Sequence, residues 1–460
     1  MSEKMQKMGL IGAISLTVGL VIGSAIFVLL PEITGMAGGS VWLVYILSGI
    51  PTFVAAFYLI QMGGALPVSG AHYVGVTKWV NPVFGFVTVF SGLICILSVT
   101  PLVSMGFGEY LQSYFPAVNA KLIAIVLIGL FCLINYFGVK LFNAIQISMF
   151  IVLLLAIIIY IFKGIPSGNP LTRMPFMPNG IESFIIAIAI ASNSWLGIVG
   201  VTEIAGVVRN PKRNIPLAIV ISVLIITFLY GGMAYAFSGI MGFEKAAEIG
   251  SSAVLVAAKS FLSGPVVIFI AIGAMLAMAT SINAFIMLAI NIIAPMCNNK
   301  IFPADFMKKN RFKTPGKAIL TFFLLSILLI LIFGSKLSSY AIISMVGLMF
   351  MEFGGALGVL RMPGKTPELF EKSVFKFPLI IRWLVFVVAA VVFWLMIGFG
   401  FLADWKVSLL FFIIAFLSFI YWVIRSAYLK KSGDGLSEIV MKKNDEIIMN
   451  CLNIKTGEVE

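Results

Sequence analysis

The chain has 460 residues, of which 61% are hydrophobic and 11% charged, and its mean hydropathy is +1.11. Soluble domains average about 25% charged residues, so the composition is that of a polytopic membrane protein with no room for a large soluble domain. The net charge of +13 follows from membrane topology and does not argue for a nucleic-acid partner.

Twelve apolar runs follow one another at 10–30, 40–64, 83–112, 121–138, 141–162, 183–206, 215–240, 262–293, 316–334, 338–361, 379–402 and 407–429. Lys4 and Lys7 precede the first run, but the run is long and no small-residue cleavage site is clear, so it reads as a retained span. An even number of crossings puts both termini on one side. Only seven of the 31 Lys and Arg, namely Lys121, Lys163, Arg173, Lys245, Lys259, Lys336 and Lys406, fall on the other side. The positive-inside rule therefore makes the termini cytoplasmic, with the plasma membrane as the expected location. The basic inner loops also suit contact with anionic lipid. From Ser432 onward the chain is polar and mixed in charge, and reads as a mobile cytoplasmic tail.

The first run is long enough to cross the ~30 Å hydrocarbon core as a helix. Its middle nevertheless carries Gly19, Gly23 and Ser24, and glycine makes a poor continuous helix. Unwound backbone in lipid is tolerated only where it lines a polar cavity, so Gly23-Ser24-Ala25-Ile26-Phe27 reads as a broken helix that grips a ligand at mid-membrane. Close helix packing at small residues is the alternative. The sixth run repeats the feature in Trp195-Leu196-Gly197-Ile198-Val199-Gly200. If spans one and six each begin a five-helix unit, the odd number makes the second unit enter from the opposite face. Interrupted helices at corresponding positions of an inverted repeat point to a transporter site.

Three motifs carry a family resemblance. Gly23–Phe27 resembles the Gly-Ser-Gly-Ile-Phe signature of the amino acid–polyamine–organocation permeases. Pro67-Val68-Ser69-Gly70-Ala71-His72-Tyr73 is similar to that family's first inner loop. Gly206-Val207-Val208-Arg209-Asn210-Pro211-Lys212-Arg213-Asn214-Ile215-Pro216 resembles the loop after span six, most closely in the arginine/agmatine antiporter branch. The resemblance implies an all-α, leucine-transporter-like fold. Spans 1–5 (residues 1–163) and 6–10 (164–377) would form the inverted repeat, spans 11 and 12 (378–431) would be peripheral, and 432–460 would be the tail.

The resemblance also implies a small-molecule substrate, an α-amino acid or related amine, bound by Gly23, Ser24, Ala25 and Ile26 together with Trp195, Leu196, Gly197, Ile198, Val199 and Gly200. Unpaired amides at Ser24, Ala25 and Ile26 can donate to a carboxylate at the start of a half-helix. Freed carbonyls around Trp195–Ile198 can accept from an ammonium group. Trp195 reads as a lid or cation–π partner, or as an ordinary buried aromatic. Ala25 departs from the family's glycine. Val199 stands where cation-exchanging relatives often carry Glu, which favours a neutral amino acid. Leu141–Ile161 holds no lysine, unlike some proton-coupled relatives.

Ionisable groups inside spans are functional candidates. Glu203 and Glu352 are the clearly deep acids, and both are candidate proton carriers or, alternatively, neutral structural acids. Thr280 and Ser281, with Asn283 beside them, could offer oxygen to a sodium ion or simply join helices. His72 reads as structural. Cys95, Cys132, Cys297 and Cys451 are scattered without metal spacing and read as small hydrophobes. No cofactor is expected; the possible coupling ion is H+ or Na+. With no Walker motif, no His-Glu-x-x-His and one histidine, an ATP-driven pump and a membrane enzyme are disfavoured. A secondary amino acid transporter, symporter or exchanger, is the expected function. A polyamine or cationic-amine exchanger or an inorganic-cation carrier on the same fold is the alternative.

Overall fold

The computed structural model describes residues 9–22, 25–68, 70–138, 142–198, 208–373, 376–431, 433 and 435–454. Helix accounts for the regular structure there. The first span is two helices, α1 (Leu10–Val21) and α2 (Ala25–Ala37). The second is α3 (Val41–Leu47) followed by α4 (Ile50–Ala65), and a short helix α5 (Ala71–Trp79) follows it. Spans three to five are α6 (Pro82–Tyr114), α7 (Ala120–Phe137) and α8 (Phe142–Ser167). Span six begins with α9 (Gly180–Ser192) and runs into a 3-10 turn at Asn193–Trp195. Span seven is α10 (Pro211–Ile240), trailed by the short helices α11 (Phe243–Ile249) and α12 (Ala253–Ala258). Spans eight to ten are α13 (Gly264–Asn298), α14 (Gly316–Phe333) and α15 (Leu337–Lys365). After α16 (Pro367–Glu371) come α17 (Leu379–Ala403), α18 (Trp405–Lys430) and a terminal helix α19 (Leu436–Ile454).

Among the described residues, nine stretches are long and apolar enough to cross a membrane, and Leu10–Gly19, Ile151–Ser167 and Gly180–Trp195 are shorter apolar helices. Burial differs sharply between them. In α15, 83% of the central window is enclosed, against 28% in α14 and α17. The outer helices expose stripes of large apolar side chains, such as Leu324, Leu328 and Leu331, or Ile380, Leu384 and Val388. In water such continuous patches would drive association; facing lipid tails they are at home.

The packing obeys an internal two-fold relation. Span three packs on span ten, as span eight packs on span five; span seven packs on span five, as span two packs on span ten. Span nine packs on span three as span four does on span eight, and spans four and nine pack on each other. Each pairing maps onto another when spans 1–5 are exchanged with 6–10. This is what an inverted repeat of two five-helix units requires. Helices α17 and α18 lean on the outside of this unit, chiefly against α15 and each other.

Helix α5 lies between the spans, with His72, Tyr73, Thr77 and Trp79 all fully enclosed. Its entry needs Gly70, whose φ of +72° is left-handed and whose missing Cβ would sit 2.9 Å from Pro295. Where the polar composition after Ser432 suggests a mobile tail, residues 436–454 instead form an amphipathic helix docked beside α5. Leu436, Val440, Ile448 and Leu452 are buried. Asn444 is also buried; its amide donates to Thr77 Oγ1 at 2.6 Å, and Asn299 donates to its carbonyl oxygen at 3.2 Å. Lys78 and Asp445 pair across the same junction.

Candidate functional site

The helix interruption in span one falls between Val21, where α1 closes, and Ala25, where α2 opens. Gly23 and Ser24 lie outside the described residues, as do Val199, Gly200 and Glu203. Ala25 and Ile26 form the first turn of α2. Trp195 closes the 3-10 turn that interrupts span six, and Leu196, Gly197 and Ile198 follow it, all buried.

A broken helix leaves carbonyls without their usual amide donors. Tyr230 of α10 reaches both breaks with one hydroxyl, whose single proton is shared between two carbonyls. Its hydroxyl stands 2.7 Å from the Val21 carbonyl oxygen and 3.1 Å from that of Ser194. One phenol thus staples the end of α1 to the interruption of span six. Trp195 packs edge-on against the Tyr230 ring, centroids 5.7 Å apart, and Tyr45 does the same at 5.7 Å. The indole N–H of Trp195 donates to Ser48 Oγ at 3.1 Å, and the ring fills the space left by Gly49. On the other side, Ser344 of α15 donates to Asn193 Oδ1 at 2.6 Å, while the Asn193 amide nitrogen has no partner among the described residues. A third donor repairs α2: Pro31 has no N–H to offer the Phe27 carbonyl, and the Tyr110 hydroxyl takes that place at 3.3 Å.

The polar cluster of α13 looks inward to its own helix. Thr280 and Ser281 both donate to the Ala277 carbonyl, at 2.9 and 3.0 Å. Each hydroxyl oxygen keeps a lone pair, and α13 also packs on α1. Asn283 makes the contact between helices, accepting from Asn135 at 2.6 Å.

Glu352 is 2% exposed in the middle of α15, and neither carboxyl oxygen has a hydrogen-bond partner among the described residues. Its neighbour Met351 accepts at 3.2 Å from His72 Nε2 on α5, which places the proton of the neutral imidazole on Nε2. Burial pushes the His72 imidazole down to about 4, against the smaller opposing pull of that hydrogen bond. His72 Nε2 thus bonds the Met351 carbonyl of α15, not the Glu352 carboxyl. It stands edge-on to Tyr58 of α4 at 5.9 Å, and Gly355 makes room for both rings: a Cβ there would lie 2.5 Å from His72 Nε2 and 2.7 Å from Tyr58. Next to this contact is a cavity of about 20 Å³ lined by Tyr58, Gln61, Ala356, Val359 and Arg382.

Two acids beyond Glu203 and Glu352 lie within spans. Glu109 of α6 accepts from Ser251 at 2.5 Å, and Glu32 of α2 stands near it and Ser338. Both are half-buried toward the end of the bundle opposite α5. Neither Tyr230 nor this pair stands out in the sequence. The available signal for Tyr230 is a phenol inside an apolar span, where its hydroxyl must find a partner.

The sequence model of the family described as "Amino acid permease" matches residues 8–362. The chain belongs to this family. Over 324 residues it is 29% identical to an uncharacterized protein of Methanocaldococcus jannaschii, covering 68% of this chain and 74% of that one. It is 26% identical over 323 residues to the methylthioribose transporter of Bacillus subtilis, covering 65% and 69%. It is 25% identical over 346 residues to the branched-chain amino acid permease of the same organism, covering 69% and 74%. This amino acid permease is accordingly a multi-pass membrane transporter of small molecules and not an enzyme.

Proposed function

We propose that this permease moves amino acids with uncharged side chains across the plasma membrane by alternating access, both termini being cytoplasmic. The observation that carries this reading is the Tyr230 staple, which holds the two helix interruptions together at one level. A zwitterion needs donors for its carboxylate and acceptors for its ammonium group, and two adjacent helix breaks supply both from backbone. The side chains around the breaks, Tyr45, Ser48, Asn193, Trp195, Tyr230 and Ser344, carry no charge, which suits a ligand whose own side chain is neutral. Asn193 offers an unused amide to it. The amino acid permease relative named for branched-chain substrates supports the same class, and the methylthioribose transporter widens it.

A second reading has its own observation: Glu32 and Glu109 lie together with no cation among the described residues acting on either, which would suit a cationic amine entering from that end. Counterflow in proteoliposomes separates the two. Vesicles loaded with unlabelled L-amino acids should accumulate a radiolabelled mixture of the same compounds, with leucine, valine or methionine competing and agmatine or putrescine not. Competition by the amines alone favours the second reading. Ion conductance without any counterflow overturns both.

A further inference from the structure

We infer that Glu352 is the proton-carrying acid of the transport cycle and that Tyr58 and Gln61 form its release path toward the end of the bundle bearing α5, an inference that rests on the transport reading above. Three buried polar groups on the neighbouring helices α4 and α15 have no hydrogen-bond partner among the described residues: the Glu352 carboxyl, the Tyr58 hydroxyl and the Gln61 amide nitrogen. Buried polar groups are nearly always satisfied, and each exception asks for an explanation such as a bound water or ion. A cavity of about 20 Å³ beside Tyr58 and Gln61 has room for one water, since about 10–15 Å³ suffices.

The register of α15 sets Glu352 between this cavity and the substrate breaks. Ser344, which holds Asn193, lies eight residues before it, roughly 12 Å along the helix axis at 1.5 Å per residue. Ala356, which lines the cavity, lies one turn after it. Gly355, between Glu352 and Ala356, carries no side chain, and this lets α15 pack closely on His72 and Tyr58. An ionised carboxylate enclosed without a counter-charge costs several kcal/mol, and a neutral acid avoids that cost. In the arrangement seen here Glu352 therefore holds a proton. On release, the carboxyl O–H bond breaks, its electron pair stays on the carboxylate, and the proton passes to water in the cavity.

The groups facing Glu352 leave it as the one acid at this level among the described residues. Helix α4 presents Tyr58. Helix α5 presents the neutral His72. Helix α6 presents Cys95, which shares a hydrogen bond with the backbone of Leu348. Helix α17 brings Arg382, which lines the cavity and whose guanidinium donates to the carbonyls of Phe377 and Leu360, at 3.0 and 3.4 Å. Helix α18 contributes phenylalanines, α9 and the turn after it contribute Asn193, and Glu368 and Glu371 of α16 lie beyond the end of α15.

The test uses full-length protein in proteoliposomes with a trapped pH dye. A mixture of standard L-amino acids added outside should acidify the lumen in the wild type. Glu352→Gln should lose the acidification, and Tyr58→Phe should slow it. Infrared difference spectra of the purified protein should contain a protonated-carboxyl band that Glu352→Gln removes, a readout that needs no transport. Acidification retained by Glu352→Gln, or a band unchanged by it, overturns the inference while leaving transport intact. So does a wild type whose uptake follows sodium and moves no protons. A wild type without counterflow overturns the transport reading itself, whatever the infrared spectra show. Should Glu352→Gln fail to fold, Tyr58→Phe decides: full-rate acidification in that variant overturns the release path.

Discussion

Ser344 and Glu352 stand two turns apart on α15, and their surroundings differ in one respect. Ser344 has its acceptor, Asn193 Oδ1, at 2.6 Å; Glu352 has none among the described residues. Around them the contrast is one of degree. In the upper region, near Ser344, the Tyr230 phenol and the Trp195 indole find partners, while the Asn193 amide nitrogen and the Tyr45 and Ser194 hydroxyls have none among the described residues. Near Glu352, neither the Tyr58 hydroxyl nor the Gln61 amide nitrogen has one. Both regions are enclosed, so both face the same penalty for an unmet polar group. The partnered groups of the upper region fix geometry, holding two broken helices at one level. The lower region, around Glu352, keeps its hydrogen-bonding capacity free for something that comes and goes.

The most severe way to break the contrast is to fill the lower region. Gly355→Val would push a branched side chain into His72 and Tyr58, neither of which can swing aside within a packed core. Overpacking of this kind typically costs about 1–3 kcal/mol and sometimes more. We expect a clear drop in melting temperature in detergent and little folded protein. An unchanged melting temperature would mean that α15 does not pack on α4 and α5 as described.

Removing one donor should make the upper region resemble the lower. Tyr230→Phe leaves the carbonyls of Val21 and Ser194 without that hydroxyl. Orphaning a buried acceptor costs about 1–3 kcal/mol. The aromatic contacts with Trp195 and Tyr45 survive, so the fold should persist while counterflow falls and apparent affinity weakens. Wild-type affinity in this variant would show that the two breaks do not need the staple.

How much of this was readable beforehand follows from where the signals lie in the chain. The interruptions are local: Gly23 within an apolar run, and the Trp195–Gly200 segment, announce themselves through composition. Glu352 is equally local, an acid among Phe350, Met351 and Phe353. Its setting is not, because His72 lies 279 residues from the carbonyl it bonds, and nothing in the sequence ties Tyr58 or Gln61 to α15. The staple is hidden for the same reason: Tyr230 is 209 residues from Val21. Terminal helix α19 shows an intermediate case. Its apolar stripe, Leu436, Val440, Ile448 and Leu452, has helical spacing, whereas the docking of Asn444 against Thr77 depends on a partner 367 residues away.

The smallest expected effect is the sharpest test of the contrast. Gln61→Leu replaces a fully enclosed amide, whose nitrogen has no partner, with a side chain of similar length and no polar atoms. Deleting a satisfied group orphans its partner, but deleting an unsatisfied one orphans nothing and removes a desolvation cost. The melting temperature of Gln61→Leu should therefore stay level with the wild type or rise slightly, within about 0.5–1.5 kcal/mol, the net worth of one hydrogen bond. Tyr230→Phe, measured alongside, should fall. A Gln61→Leu variant destabilised as much as Tyr230→Phe would mean that Gln61 already has a partner, a bound water held in the cavity as structure. The lower region would then be held by structural hydrogen bonds, as the Tyr230 and Ser344 contacts hold the upper one, and would have no vacancy to offer a proton.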